Sequence, residues 1–416
     1  MRAVLDSVLR RFIVSGRLSV RYPDGRLVQY AGSEPGPEAG LEIRTRRTLR
    51  RLVIDPSLAV GEAYMDGTLV PLGSTIYDVL QVLFHNASAG GWHPGSVIQT
   101  FARTLLRRWA QWNPAARSRR NVAHHYDLNG QLYNLFLDRD WQYSCAYFAR
   151  GDETLDEAQA AKKRHIAAKL LLDREDLHVL DIGCGWGGMA LTLARDYGAR
   201  VTGITLSQEQ WERARARADE AGLSDRVQFL LQDYRDPSLS AIGPFDRVVS
   251  VGMFEHVGIN HYGQFFERVR QLLTPDGVML LHAIGRSDGP GSTNPWLAKY
   301  IFPGGYSPAL SEVFAAVERS GMIATDVEIL RLHYAETLRH WRRRFAAKRD
   351  IIATLYDERF CRMFELYLAG SELSFRQSGT IVWQLQMTRD RLAVPMTRDY
   401  IPAAEHRPLR AREDAD

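Results

Sequence analysis

Ten residues, Val179-Leu180-Asp181-Ile182-Gly183-Cys184-Gly185-Trp186-Gly187-Gly188, join a short apolar run ending near an acid to closely spaced glycines. Glycines at a strand-to-helix turn let a ligand approach the backbone and set it near the helix N-terminus. Open parallel sheets take their ligands at the carboxyl ends of the strands, where this turn falls. The spacing G-x-G-x-G departs from the dinucleotide fingerprint G-x-G-x-x-G, although Gly188 can be counted in its place. A dinucleotide site also wants an acid about 20 residues onward for a ribose. The next strand runs instead into Thr205, with no acid before Glu209. Asp233, after the third strand, is placed to reach an adenine amino group. S-adenosylmethionine is the better ligand. The plainer alternative is that the glycines only allow close helix–strand packing.

Glu255 and His282 follow the fourth and fifth strands of the same alternation, again at the edge where an active site belongs. Each has an ordinary reading, Glu255 as a solvated loop acid and His282 as a satisfied core histidine. Cys145 alone reads as a small buried hydrophobe, and no triad-like pattern accompanies it to make a nucleophile. The three cysteines, Cys145, Cys184 and Cys361, lie far apart. They make neither a disulfide framework nor a metal site, and they suit a reducing compartment.

The elements that must hold these residues alternate. A helix at Leu155–Leu172 precedes a strand at His178–Ile182, and a helix over Met189–Tyr197 is closed by Gly198. Strands are expected at Arg200–Ile204, Val227–Leu231, Arg247–Val251 and Val278–Ala283. A helix opened by Ser207, with Gln210 three residues on in a capping-box pattern, ends at Gly222, and another spans Gln264–Leu273. Strands alternating with helices imply an α/β fold with a parallel sheet. Residues 1–112 read differently: strands at Leu18–Arg21, Arg26–Tyr30 and Leu41–Arg44 surround a loop marked by Pro35, Gly36, Pro37 and Gly40. A helix at Ile76–Phe84 and a basic-aromatic helix at Val97–Trp112 follow. Turn signals without apolar periodicity place a linker at 113–120, so the division is 1–112, 113–120 and 121–416.

The chain has 416 residues, 45% hydrophobic and 25% charged, the proportions of a folded soluble protein. No apolar run approaches the roughly 18–20 residues of a membrane-spanning helix, and mean hydropathy is −0.27. Asp6, Arg10 and Arg11 interrupt the apolar residues at the start, so a secretory signal is not expected. The expected location is cytoplasmic. The net charge of +4 is too mild to argue for nucleic acid, and no recognition module accompanies it.

Taken together, VLDIGCGWGG (179–188), TLSQEQ (205–210), QDYRD (232–236), VGMFEHVG (251–258), KYIFPGG (299–305), HYDL (125–128) and YSCAYF (143–148) resemble the cyclopropane-fatty-acyl-phospholipid synthases, relatives of the mycolic acid cyclopropane synthases. VGEAYMDG (60–67) resembles the N-terminal extension of the phospholipid-acting members. The resemblance implies a class I methyltransferase: a Rossmann-like, mostly parallel sheet with helices on both faces, plus a smaller N-terminal α+β lipid-associated domain. It implies that a methylene group passes from S-adenosylmethionine to a cis double bond of a phospholipid acyl chain. By motif position the cofactor falls to Tyr143, Ser144, Val179, Asp181, Gly183, Gly185, Gly187, Thr205, Gln210, Asp233 and Tyr234. Gln210 would hold the ribose.

Methyl transfer to an alkene leaves a carbocation, so a dry pocket, aromatic faces and a base are needed. Tyr126, Tyr143, Phe254, Tyr306 and Tyr334 lie near the matched motifs. The resemblance implies that the base is a bound bicarbonate ion, held by Cys145, Glu255, His282, the backbone of Ile284, and Tyr334. If the base is instead a side chain, His282 is the first choice. Ser371 stands where several relatives carry cysteine, and Ala283 replaces a threonine common in the family. Relatives that make methyl-branched or methylene chains keep those products open.

A lipid substrate requires access to a phospholipid surface. TFARTLLRRWAQWNPAARSRR (100–120) interleaves Arg103, Arg107, Arg108, Arg117, Arg119 and Arg120 with Phe101, Trp109 and Trp112. That is the composition of an interfacial helix, equally of a solvated helix face with buried tryptophans. Peripheral association with the inner membrane face is therefore expected, no nucleic-acid partner is, and a homodimer is allowed. A methyltransferase for a small molecule, or a lipid-binding scaffold that keeps a cofactor fold, are the competing readings. The first leaves VGEAYMDG and LHAIG (281–285) unexplained, and the second predicts degenerate motifs where these are intact.

Overall fold

The structure, a computed structural model, describes residues 1–88 and 130–407. The chain forms two compact units. The first contains residues 1–88 together with Gly291–Pro303 and Tyr334–Thr380. Its sheet is ordered β2-β1-β3-β4, from β1 (Ser15–Arg21), β2 (Leu27–Ala31), β3 (Glu34–Ile43) and β4 (Leu69–Pro71). The expected loop at Pro35–Gly40 is part of β3. Those residues face a bulge where the parallel register to β1 jumps from Ser15↔Glu34 to Arg17↔Glu38. A Cβ on Gly16 would lie 2.1 Å from the Pro37 carbonyl oxygen, so glycine and proline mark close strand passage here, not a turn.

Helices at Arg2–Phe12, Arg46–Ile54 and Pro56–Met65 complete the N-terminal part, and Ile76–Ser88 extends the helix expected at Ile76–Phe84. VGEAYMDG has a structural job within this unit. Trp296 packs so closely on Gly61 that a Cβ there would lie 2.3 Å from its ring. Glu62, buried, accepts from Lys299 (2.7 Å), from the Tyr300 hydroxyl (2.8 Å) and from Arg51. Ser371, in the helix Glu358–Gln377, also belongs to this unit. The sequence division lacked these two returns of the chain. Its linker, the helix at 97–112 and HYDL lie outside the described residues.

The second unit, residues 130–290, 304–333 and 381–407 among those described, carries a seven-stranded sheet ordered β10-β11-β9-β8-β5-β6-β7. Its strands are β5 (His178–Ile182), β6 (Arg200–Thr205), β7 (Val227–Leu231), β8 (Phe245–Val251), β9 (Leu273–Arg286), β10 (Ile323–Ile329) and β11 (Thr380–Thr388). The pairs β5–β6, β6–β7, β5–β8 and β8–β9 are parallel, and β10–β11 is antiparallel.

Strand residues alternate between two apolar cores. Leu180, Val248, Met279 and Leu281 pack with the helices Tyr262–Leu272 and Leu310–Ser320. Val179, Val249 and Leu280 pack with Leu155–Lys169, Gly188–Tyr197 and Gln208–Glu220. Helices therefore cover both faces, the arrangement that buries a parallel sheet. The expected β5 and β7 coincide with the observed strands. β9 starts five residues earlier than expected, because Thr274–Gly277 bulge out between Phe245↔Leu273 and Arg247↔Val278.

Candidate active site

The cleft lies where β5 and β6 end. Gly183, Gly185, Thr205, Gln210, Asp233 and Tyr234 line it, as the sequence proposes for a cofactor. It encloses about 720 Å³ including its open mouth, within the range of small-molecule sites. The Gly183 and Cys184 amides both donate to the Ile204 carbonyl (2.9 and 3.0 Å), tying the turn to β6. A Cβ on Gly183 would strike Met253 and one on Gly187 would strike Phe229, whereas one on Gly185 meets no protein atom within 4 Å. Gly185 is thus bare backbone facing open space at φ +54°.

Gln210 is held by a different bond from the one its spacing suggests. Ser207 Oγ accepts from the Gln210 amide as the helix cap. The Gln210 side chain, rather than returning to the cap, accepts from Thr205 Oγ1 at 2.9 Å. Asp233 is gripped at both oxygens by Arg235 (2.8 and 2.6 Å), so its lone pairs are shared with a cation that the sequence reading omitted. Val179 is fully buried in the apolar core behind the turn and does not line the cleft. Asp181 is buried, with Oδ2 lacking a hydrogen-bond partner, and burial pushes its carboxyl up to about 7.

Tyr143, Ser144 and Cys145 lie in a segment strapped to the helix Leu155–Lys169. Asp140 pairs with Lys163 and Arg217, and Arg217 also donates to the Trp186 carbonyl at 2.7 Å, so the strap is anchored to the glycine turn. Gln159 donates to the Ser144 carbonyl at 2.9 Å. Lys162, fully buried, donates to Ser144 Oγ (2.8 Å) and Gln142 Oε1 (2.6 Å), and burial lowers it to about 8. The Tyr143 ring packs edge-on to Tyr133 and Phe136. Cys145 is buried, and its Sγ donates to the Ala146 carbonyl at 3.3 Å.

Beside the cleft, Glu255 follows β8 on a single turn at Phe254–His256. Its Oε1 accepts from the Ile284 amide at 2.6 Å, while Oε2 is buried without a partner. Burial pushes this carboxyl up to about 7. The Ile284 amide, expected to donate to an ion, is already engaged by Glu255. His282 lies inside β9 rather than after it, paired with Val251 and two residues from Ile284, hence on the same strand face. Burial and the nearby Lys162 and Lys169 hold its imidazole far below the usual range. His256, which lines the cleft, is lowered by burial to about 4 and is neutral. Only its place next to Glu255 could have flagged it. Tyr334 belongs to the first unit, its ring against Trp341 and Phe375.

The model of the mycolic acid cyclopropane synthetase family matches residues 114–385. The chain belongs to this family. A domain of unknown function matches residues 4–90. The Escherichia coli K12 cyclopropane-fatty-acyl-phospholipid synthase is 37% identical over 361 residues, 86% of this chain and 89% of its own. The tuberculostearic acid methyltransferase UfaA1 of Mycobacterium tuberculosis is 36% identical over 413 residues, 93% of this chain and 91% of its own. The solved mycolic acid cyclopropane synthase CmaA1, complexed with SAH and CTAB, superimposes with a TM-score of 0.60 at 33% identity, over 66% of this chain and 98% of its own.

The family member described here is therefore an S-adenosylmethionine-dependent methyltransferase of the class I fold, with a separate smaller α/β region at its N-terminus. Its cleft suits that cofactor. It offers exposed glycine backbone, a fixed side-chain amide at Gln210, a carboxylate at Asp233, and the unpartnered Asp181 oxygen buried behind the turn.

Proposed function

We propose that this enzyme transfers a methylene group from S-adenosylmethionine to the cis double bond of unsaturated phospholipid acyl chains, making cyclopropane fatty acids at a membrane surface in the cytoplasm. The observation that carries this reading is the pairing of the cofactor cleft with a second buried polar group beside it. A methyltransferase acting on a ready nucleophile needs no such group, whereas ring closure on an alkyl cation must discard a proton.

Gly183, Gly185, Thr205, Gln210, Asp233 and Tyr234 bind and orient the methyl donor in this reading, and the family resemblance adds Tyr143 and Ser144. A bound bicarbonate ion would supply the base that takes the methyl proton. Glu255 Oε2, buried and unpartnered, suits a group that brings its own hydroxyl proton. His282 and Cys145 are the remaining holders that this unit offers, while the Ile284 amide orients Glu255; Tyr334 is implied by the family resemblance alone. Burial keeps water out, so the positive charge that develops is met by aromatic faces and the Glu255 carboxylate.

A second reading, a methyl-branched or methylene acyl chain as product, is kept because the tuberculostearic acid methyltransferase UfaA1 matches 93% of this chain. In that reading the proton is lost without ring closure and reduction follows elsewhere. Mass spectrometry of lipids from cells expressing the protein tests both. A gain of one CH₂ on unsaturated chains supports the class, and ring against branch fixes the product. No gain on any acyl chain refutes the proposal. Activity should fall when carbonate is stripped from the buffer and return on adding bicarbonate. Full activity without carbonate moves the base to a side chain.

A further inference from the structure

His282 carries a second piece of information, in the residues behind it. Gln384 Nε2 lies 3.2 Å from His282 Nδ1, and Gln384 Oε1 lies 2.9 Å from Lys169 Nζ. All three side chains are buried. An ammonium group has three donors and no acceptor, so the oxygen end of the amide must face Lys169 and the NH₂ end must face His282. An amide N–H only donates. His282 Nδ1 is therefore the acceptor, and a neutral ring keeps its proton on Nε2.

Lys169 is in turn kept cationic by two carboxylates of β10. Glu328 contacts its Nζ, and Asp326 Oδ2 lies 3.6 Å away. Glu328 also accepts from His165 Nε2 at 2.8 Å, and His165 bonds Glu405 on its other side. Glu328 and Gln384 are register partners across β10 and β11, so the sheet itself fixes the spacing of the chain of bonds.

We propose that Lys169 and Gln384 are positioning residues that lock His282 as the Nε2–H tautomer, making it a hydrogen-bond donor and removing it as a base. The consequence for catalysis rests on the reading of His282 as a holder of an anion. The tautomer itself does not. Such a lock explains why a glutamine and a lysine are both buried in the core beside a methyltransferase cleft, where apolar residues would pack at lower cost. The side-chain fallback for the base cannot then be His282.

The test is nitrogen NMR of the full chain labelled with ¹⁵N-histidine, His282 being assigned by difference against His282→Asn. The parent should show an unprotonated Nδ1 and a protonated Nε2. Gln384→Glu presents only acceptors, so the proton should move to Nδ1. Turnover should fall with it, on the order of 10–100-fold, as when an outer partner orienting a site histidine is lost. The KM for S-adenosylmethionine should stay within about twofold, because the cofactor touches neither residue in this reading. Gln384→Leu removes the donor and should leave both tautomers populated. A protonated Nδ1 in the parent, or an unmoved proton in folded Gln384→Glu, overturns the proposal. The parent spectrum decides even if that variant does not fold. If the spectra behave as expected but no lipid is methylated, the lock stands and the proposed function falls.

Discussion

Glu255 Oε1 accepts a 2.6 Å hydrogen bond from the Ile284 amide, joining the turn after β8 to the end of β9. One carboxylate oxygen is thereby spent on the scaffold, and the other is left buried without a partner. The geometry fixes which oxygen is available for chemistry.

The same burial makes Glu255 a pH-dependent cost. Its carboxyl rises from the usual 4.5 to about 7, so the folded state holds a proton that the unfolded chain has already released. Stability from this group is full below about pH 4.5 and is lost as pH rises through about 7. The loss is on the order of 3 kcal/mol at most, at about 1.4 kcal/mol per unit. Glu255→Gln should therefore melt with the parent near pH 4.5 and above it at pH 8, measured without cofactor or bicarbonate. Turnover of the variant should drop by orders of magnitude while cofactor affinity holds. A melting difference that ignores pH would show that Glu255 is not the buried acid described.

Gly185 separates ligand contact from fold. An added side chain meets no protein atom within 4 Å there, unlike at Gly183 or Gly187. Gly185→Val carries only the strain of a β-branched residue at positive φ, about 1–3 kcal/mol. It should stay folded yet lose S-adenosylmethionine binding in calorimetry. Unchanged affinity in the folded variant would move the cofactor elsewhere.

If the enzyme works at a membrane surface as proposed, the basic-aromatic composition of the segment at 100–120 makes it the candidate contact. Replacing Arg107, Arg108, Arg119 and Arg120 by glutamine removes four cations worth about 1 kcal/mol each near an anionic surface. Sedimentation with anionic vesicles at low salt should show weaker binding, and what remains should respond less to salt. Equal binding by variant and parent would assign the surface to another part of the chain.

The catalytic fold was readable because β5 to β8 are short, strongly patterned strands separated by Gly- or Ser-marked helices. Val179 and Leu180 even divide between the two cores as alternation demands. The motif residues that form the cleft were readable for the same reason: they sit where strands end. Less visible were partners distant in sequence. Nothing near Gln384 says that it faces His282, 102 residues away. Arg235, two positions after Asp233, carries no spacing signal of its own, and only the folded turn brings its guanidinium onto both carboxylate oxygens. The Pro35–Pro37 stretch misled because it carries turn residues for a strand bulge. VGEAYMDG was recognised as a signature, but its purpose depends on Trp296, Lys299 and Tyr300.

That last dependence sets a timetable for synthesis. The first unit begins with residues 1–88, yet the tryptophan that covers Gly61 is not made until residue 296, and the helix Glu358–Gln377 comes later still. At about 5–20 residues per second, the roughly 200 residues between the two stretches keep a ribosome busy for about 10–40 s. Through that interval Gly61 lacks its covering indole and Glu62 its lysine and tyrosine partners. These particular contacts therefore form only after the entire glycine turn and its strands have been made. A stop codon before residue 291 would release a chain in which Gly61 lacks its indole and Glu62 its lysine and tyrosine.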